Sequence, residues 1–222
     1  MLHSKVKIFD LDDTLYSEFS FVESGFHTVS THLSLELKLS AKKIFNDLMV
    51  LLEANKRGNT FDLLLTNYEV FSKEKVKELV QVYRRHEPVI KLDKKIKNFL
   101  EKMRNERLYL VTDGHKLVQQ KKIESLGISN YFSKIFITNL YGVSKQKPSL
   151  YCFNKILKIE DVSYDKLVYV GDNPAKDFVN LNKVGAYTVQ SLMYVRDLPE
   201  LPLNYYAQYR IHSAEELFDL FG

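Results

Sequence analysis

From residue 88 onward, short apolar runs rich in β-branched residues alternate with segments of helical period, and one more such run stands near the start. This alternation constrains the fold most. A strand covered on both faces reads as a nearly continuous apolar run, and parallel strands need crossover helices. The strand-like runs are Val6–Phe9, Leu108–Val111, Lys134–Ile137, Leu167–Val170, Ala186–Val189 and Tyr209–Ile211. Between them, 93–105 sets Ile96, Phe99, Leu100 and Met103 on one helical face. His115–Leu126 reads as a helix closed by Gly127, followed by helices over Ser149–Leu157 and Ala175–Lys183. Ser213 opens a last helix, with Glu216 completing a capping box. These spans predict an α/β core around a parallel sheet.

The block from about Tyr16 to His86 has a different rhythm. Phe19, Val22, Phe26, Val29, Leu33 and Leu37 recur at three- and four-residue spacing. Ser40 can cap a second helix carrying Ile44, Leu48, Leu51 and Leu52, and Lys56–Asn59 reads as a loop. Two further helical stretches, Phe61–Phe71 and Lys73–His86, end at Pro88. The expected organisation is therefore a core of 1–15 and 88–222, interrupted by an all-helical insert at 16–87.

Composition narrows the function classes. The 222 residues carry a formal charge of +4 with basic and acidic residues interleaved, so no basic stripe of the nucleic-acid-binding kind stands out. No apolar stretch is long enough to span a membrane, and no secretory signal pattern opens the sequence. A single cysteine, Cys152, rules out an intramolecular disulfide and a cysteine metal cluster, and its apolar setting fits a core residue. The cytoplasm is the default expectation.

Four polar clusters follow predicted strands: Asp10–Leu11–Asp12–Asp13–Thr14, Thr112–Asp113–Gly114, Lys145–Gln146–Lys147–Pro148, and Gly171–Asp172 through Asp177. Ligands of an open parallel sheet bind at the carboxyl ends of its strands, so these distant segments are expected to converge. Each alone is an ordinary turn signal; their order and placement together point to chemistry. Carboxylates crowded together disfavour mutual ionisation unless a cation sits among them. An all-oxygen set beside a phosphate suits Mg2+. A carboxylate can then attack phosphorus, a second can move the proton, and a lysine with a hydroxyl can hold phosphate oxygens.

In this set the sequence resembles the haloacid dehalogenase superfamily, in its phosphatase branch. Phe9–Asp10–Leu11–Asp12–Asp13–Thr14–Leu15 matches the first motif, Thr112 the second, Lys147–Pro148 the third, and Gly171–Asp172 through Asp177 the fourth. The resemblance implies a Rossmann-like core with a small helical cap inserted after the first strand. It implies Asp10 as nucleophile and Asp12 as general acid/base. It places magnesium on the Asp10 carboxylate, the Asp12 backbone carbonyl and the Asp172 carboxylate, with Asp177 in support. Thr112, Asp113 and Lys147 would bind the phosphate. Lys145 competes with Lys147 for the third-motif role; Pro148 and Phe153 favour Lys147. The acid at Asp12 argues for phosphoryl transfer over dehalogenation. Arg57 in the insert and His115 after Thr112–Gly114 are candidate substrate contacts, with a solvated turn arginine and a helix-start histidine as the plainer alternatives. Tyr16, Glu18 and Phe19 serve either gating or packing. The leading expectation is a phosphomonoester hydrolase for a small phosphorylated metabolite. A phosphomutase using the same aspartyl-phosphate and a silent binding protein on this fold are the alternatives.

Overall fold

The computed structural model describes residues 2, 5–55, 58–195 and 200–221. It divides into two compact units, Met1–Glu18 with Lys91–Gly222, and Phe19–Ile90. The sequence reading put these borders after residues 15 and 87, and local bonds explain the difference. The Tyr16 hydroxyl donates to Asp12 Oδ1 (2.7 Å) and the Glu18 amide to Asp13 Oδ1 (2.9 Å), which ties 16–18 to the loop after the first strand. The Val89 amide donates to Ser24 Oγ (2.9 Å), fastening 88–90 to the helical unit.

In chain order the elements are β1 (Val6–Phe9), α1 (Glu18–Leu37), α2 (Ala41–Asn55), α3 (Thr60–Asn67), α4 (Lys73–Arg85), α5 (Lys94–Lys102), β2 (Leu108–Thr112) and α6 (Lys116–Leu126). Then come β3 (Lys134–Ile137), α7 (Tyr151–Glu160), β4 (Leu167–Gly171), α8 (Val179–Lys183), β5 (Tyr187–Ser191), β6 (Tyr209–Ile211) and α9 (Ala214–Phe221).

The larger unit is built on a parallel sheet of order β3-β2-β1-β4-β5-β6. Alternate side chains of β1 enter opposite layers, as the period of a strand requires. Ile8 joins Tyr109, Val111, Leu167 and Tyr169 against Phe153 and Ile156 of α7. Phe9 packs edge-on against Phe99 of α5 (5.9 Å between centroids) and Phe221 of α9 (6.3 Å). Cys152 is buried in the first of these layers, and burial pushes its thiol up to about 11, as befits a core residue. Asp93 caps α5 by accepting from the Lys95 amide (2.7 Å), and Gly127 ends α6 in the left-handed conformation at φ 65°.

The helical unit closes around Val22, Phe26, Val29 and Leu33 of α1, Ile44 and Leu48 of α2, Leu64 and Leu65 of α3, and Leu79 of α4. Ser72 caps α4 through the Lys75 amide (3.1 Å). Phe19 stays exposed in the first turn of α1, at the edge of the unit. Among the described residues, no helix is long and apolar enough to cross a membrane.

Three expected helices are shorter than their patterns: 93–105 narrows to Lys94–Lys102, Phe61–Phe71 ends at Asn67, and Ala175–Lys183 loses its first turn. The segment 175–178 forms turns, and α8 starts at Val179. The cause is local. The Asn173 carbonyl accepts from the Lys176 and Asp177 amides, and the Asp177 carboxylate accepts from the Asn173 amide (2.9 Å). The loop spends its donors on itself before a helix can begin.

Candidate active site

The sheet reverses its direction of build-up between β1 and β4, and ligands of such sheets sit outside the strand ends at that point. Phe9 pairs with Val170, and the Asp10 amide donates to the Val170 carbonyl (2.8 Å). Asp10 therefore leaves β1 beside the end of β4, where Asp172 follows. One carboxylate oxygen each from Asp10, Asp172 and Asp177 lies within 4.8 Å of the others.

Lys147 is the cation of this cluster. Its Nζ lies 3.0 Å from Asp10 Oδ1 and 2.7 Å from Asp177 Oδ1, and donates to the Tyr169 hydroxyl at 2.8 Å. Lys145, the competing lysine, lies over the Tyr151 ring at 5.1 Å. Asp177 is spoken for on both oxygens: Oδ1 takes Lys147 and the Tyr169 hydroxyl (3.2 Å), and Oδ2 the Asn173 amide. Gly171 leaves room for this arrangement, since a Cβ there would stand 2.6 Å from Asp177 Oδ2.

Burial and electrostatics set the protonation of the cluster. Asp10 is 3% exposed, and beyond the Lys147 ion pair its Oδ1 meets no hydrogen-bond donor among the described residues. Burial pushes its carboxyl up to about 6; Lys147 opposes the rise and Asp177 adds to it. Burial, then the charges of Asp177 and Asp10, push Asp172 up to about 9. Burial works against the charged form of Lys147, but Asp10 and Asp177 outweigh it and hold the ammonium well above its usual range.

The donor set fits a hard divalent cation. It is all oxygen, its three carboxylates outnumber the Lys147 ammonium, and beyond that ion pair its buried Asp10 Oδ1 meets no donor among the described residues. A second acidic group, His32, Glu36 and Glu78, differs in kind: its glutamates are exposed, and an imidazole stands in place of a third carboxylate.

Thr112 ends β2 fully buried, and its Oγ1 accepts from Gln119 Nε2 at 2.6 Å. Asp113 directs its carboxylate to the third cluster: Oδ1 accepts from Thr138 Oγ1 (2.5 Å) and from the Lys147 amide (3.2 Å). The side chain thus holds the Lys147 loop, which leaves its backbone amide as the group suited to a phosphate. His115 is exposed in the turn before α6, and its side chain caps nothing there. Arg57 lies outside the described residues.

The Asp12 carboxylate sits in a nest of donors. Oδ1 accepts from Tyr16 (2.7 Å) and Lys122 (2.7 Å), and Oδ2 from Gln119 (2.9 Å). Burial pushes this carboxyl up, but the Lys122 charge and the three hydrogen bonds win and hold it below its usual value. Gln119, Lys122 and Tyr169 gave no signal in the sequence. They sit in the interiors of α6 and β4, where a polar side chain is read as the solvent side of a helix or as one more aromatic core residue.

Comparison with known proteins fits this geometry. The profile of the haloacid dehalogenase-like hydrolases matches residues 7–190. A glyceraldehyde 3-phosphate phosphatase of Methanocaldococcus jannaschii is 29% identical over 223 aligned positions, covering 96% of this chain and 95% of that protein. A phosphoserine phosphatase of Thermus thermophilus is 29% identical over 118 positions, covering 52% of this chain and 47% of that one. The crystal structure of a HAD phosphatase from Thermococcus onnurineus shares the fold with a TM-score of 0.62 at 21% identity, covering 97% of both chains. Most of the chain falls within the family profile, and the strand ends carry the family's acidic clusters in order: this protein belongs to the haloacid dehalogenase-like hydrolases.

Proposed function

We propose that this hydrolase is a magnesium-dependent phosphomonoesterase that acts on a small phosphorylated metabolite through an aspartyl-phosphate on Asp10. The observation that carries the reading is the buried Asp10 carboxylate, whose Oδ1 has the Lys147 ammonium at 3.0 Å and no other donor among the described residues. A carboxylate so placed keeps its lone pairs for an incoming electrophile. Magnesium would be held by the carboxylates of Asp10 and Asp172 and the backbone carbonyl of Asp12; bound there, it offsets the charge of carboxylates and phosphate.

The chain's own residues divide the work. Asp10 attacks phosphorus, and the bond to the ester oxygen breaks. Asp12 enters this step in its protonated form and gives that oxygen the proton; the carboxylate then takes a proton from the water that cleaves the aspartyl-phosphate and frees Asp10. Lys147, held by Asp177 and Tyr169, balances charge on the transferring group, and Thr112 with the Asp113 amide holds its oxygens. Arg57 and His115 are the candidate contacts for choosing the ester. The relatives named as glyceraldehyde 3-phosphate phosphatases make that three-carbon ester the first to test.

The test is phosphate release from a panel of small phosphate esters, headed by glyceraldehyde 3-phosphate. Release with Mg2+, its loss on chelation and its loss in Asp10→Asn are the expected results. Failure of the magnesium-loaded protein on the whole panel, or full activity of Asp10→Asn, refutes the proposal.

A further inference from the structure

The inner face of α6 is unusual for a helix packed on a sheet. Its buried residues are Gln119, Lys122, Ile123 and Leu126, so half of what it hides is polar. Lys122 is 2% exposed and Gln119 1%. A helix serving packing alone would bury apolar residues here, since a buried ammonium is costly and apolar replacements of buried ion pairs are often no less stable. The three-residue spacing puts both side chains on one face, and both reach Asp12.

We propose that Lys122, Gln119 and Tyr16 are positioning residues that fix the Asp12 carboxylate for proton transfer. The inference rests on the reading of Asp12 as the acid/base of the phosphatase. Oδ1 receives both Lys122 Nζ and the Tyr16 hydroxyl at 2.7 Å, which fills its two lone pairs. Among the described residues Oδ2 receives only Gln119, at 2.9 Å, and so keeps one lone pair open. Oδ2 is therefore the oxygen that carries the proton to the leaving alkoxide and takes the proton from water.

The other ends of the clamp hold it still. Lys122 Nζ is also 3.1 Å from Glu18 Oε1, so the ammonium is pinned between two carboxylates. Gln119 Nε2 also donates to Thr112 Oγ1 (2.6 Å), and the threonine hydroxyl itself makes only a long bond to the Asp113 carbonyl (3.5 Å), which a phosphate oxygen could replace. One glutamine thus fixes the acid and the phosphate donor in register.

The experiment compares kcat/KM for an alkyl phosphate and for p-nitrophenyl phosphate, in wild type and Lys122→Met. An alkoxide needs a proton to leave and a nitrophenolate does not. With Asp12 misplaced, kcat/KM should fall on the order of 100-fold for the alkyl ester and by less than about fivefold for the aryl ester. Acid quenching should trap more phosphoenzyme than in wild type, because its hydrolysis also needs Asp12. In an Asp12→Ala background, Lys122→Met should cost less than about twofold more, since the two act as a unit. Tyr16→Phe removes one hydroxyl and should show the same selectivity to a smaller degree; it carries the comparison if Lys122→Met does not fold. Equal losses on both esters, or a full additional loss in the Asp12→Ala background, overturn the positioning role while the phosphatase reading stands. A wild type that hydrolyses neither ester overturns both.

Discussion

Replacing the proposed nucleophile should make the metal-free protein more stable. Asp10 is buried beside Asp177 and Asp172, and its carboxyl is pushed up from 3.8 to about 6. That rise corresponds to about 3 kcal/mol against the ionised form. The sign follows from linkage. Between about pH 4 and 6 the unfolded chain has released this proton while the folded chain retains it, so stability falls as pH rises through that window. Above it, the full cost is present. Asn has nearly the shape of the neutral acid and never ionises, and Asp177 remains to pair with Lys147. Asp10→Asn should therefore gain about 3 kcal/mol at pH 8 in chelator, a rise in Tm of roughly 6–12 °C for a domain of this size. At pH 4 the gain should vanish. Differential scanning calorimetry at both pH values, in EDTA, reads it directly. An unchanged or lowered Tm at pH 8 would refute the argument, because it would mean that the Lys147 ion pair outweighs burial.

Other predictions follow from the same geometry. Magnesium should raise the Tm of the wild type at pH 8, and the rise should shrink toward pH 5, because the metal must displace the Asp172 proton throughout that range and the Asp10 proton below about pH 6; thermal melts across pH with and without the metal check this. Lys147→Met leaves Asp10 and Asp177 facing each other without their cation, and should cost about 3–5 kcal/mol in metal-free denaturant titrations together with phosphate release. Gly171→Ala places a Cβ 2.6 Å from Asp177 Oδ2 and 3.0 Å from Tyr169 Cε1. It should lose about 1–3 kcal/mol by crowding, with a loss of kcat as Lys147 is displaced, measured by melts and steady-state kinetics.

The core strands and their acidic ends are legible in the sequence because each signal is local: an apolar run, then a polar break. Asp10, Thr112 and Asp172 belong to this class, and strand register alone brings Asp10 beside the end of β4. The choice between Lys145 and Lys147 is not local. It depends on Asp113 gripping the Lys147 amide and on Tyr169 and Asp177 receiving its ammonium, contacts 34, 22 and 30 residues apart in the chain. The clamp on Asp12 is harder still to read. Helical periodicity assigns polar residues to water, and in α6 Gln119 and Lys122 turn inward because a carboxylate more than 100 positions away awaits them. The onset of α8 falls at Val179, later than its pattern predicts, because Asp177 and Asn173 bond to each other first.

The position of β1 has a consequence for biosynthesis. This strand sits in the middle of the sheet, between β2 and β4, yet leaves the ribosome well before either. The helical unit that follows makes its contacts within its own stretch of chain and can fold while β1 still lacks both neighbours. An orphaned strand of this kind invites pairing with other chains. Lys7 breaks its apolar run with a charge, as gatekeeper residues do. In the finished protein that charge is fully buried and ends on Glu106 (3.0 Å), just before β2, the strand that β1 was waiting for.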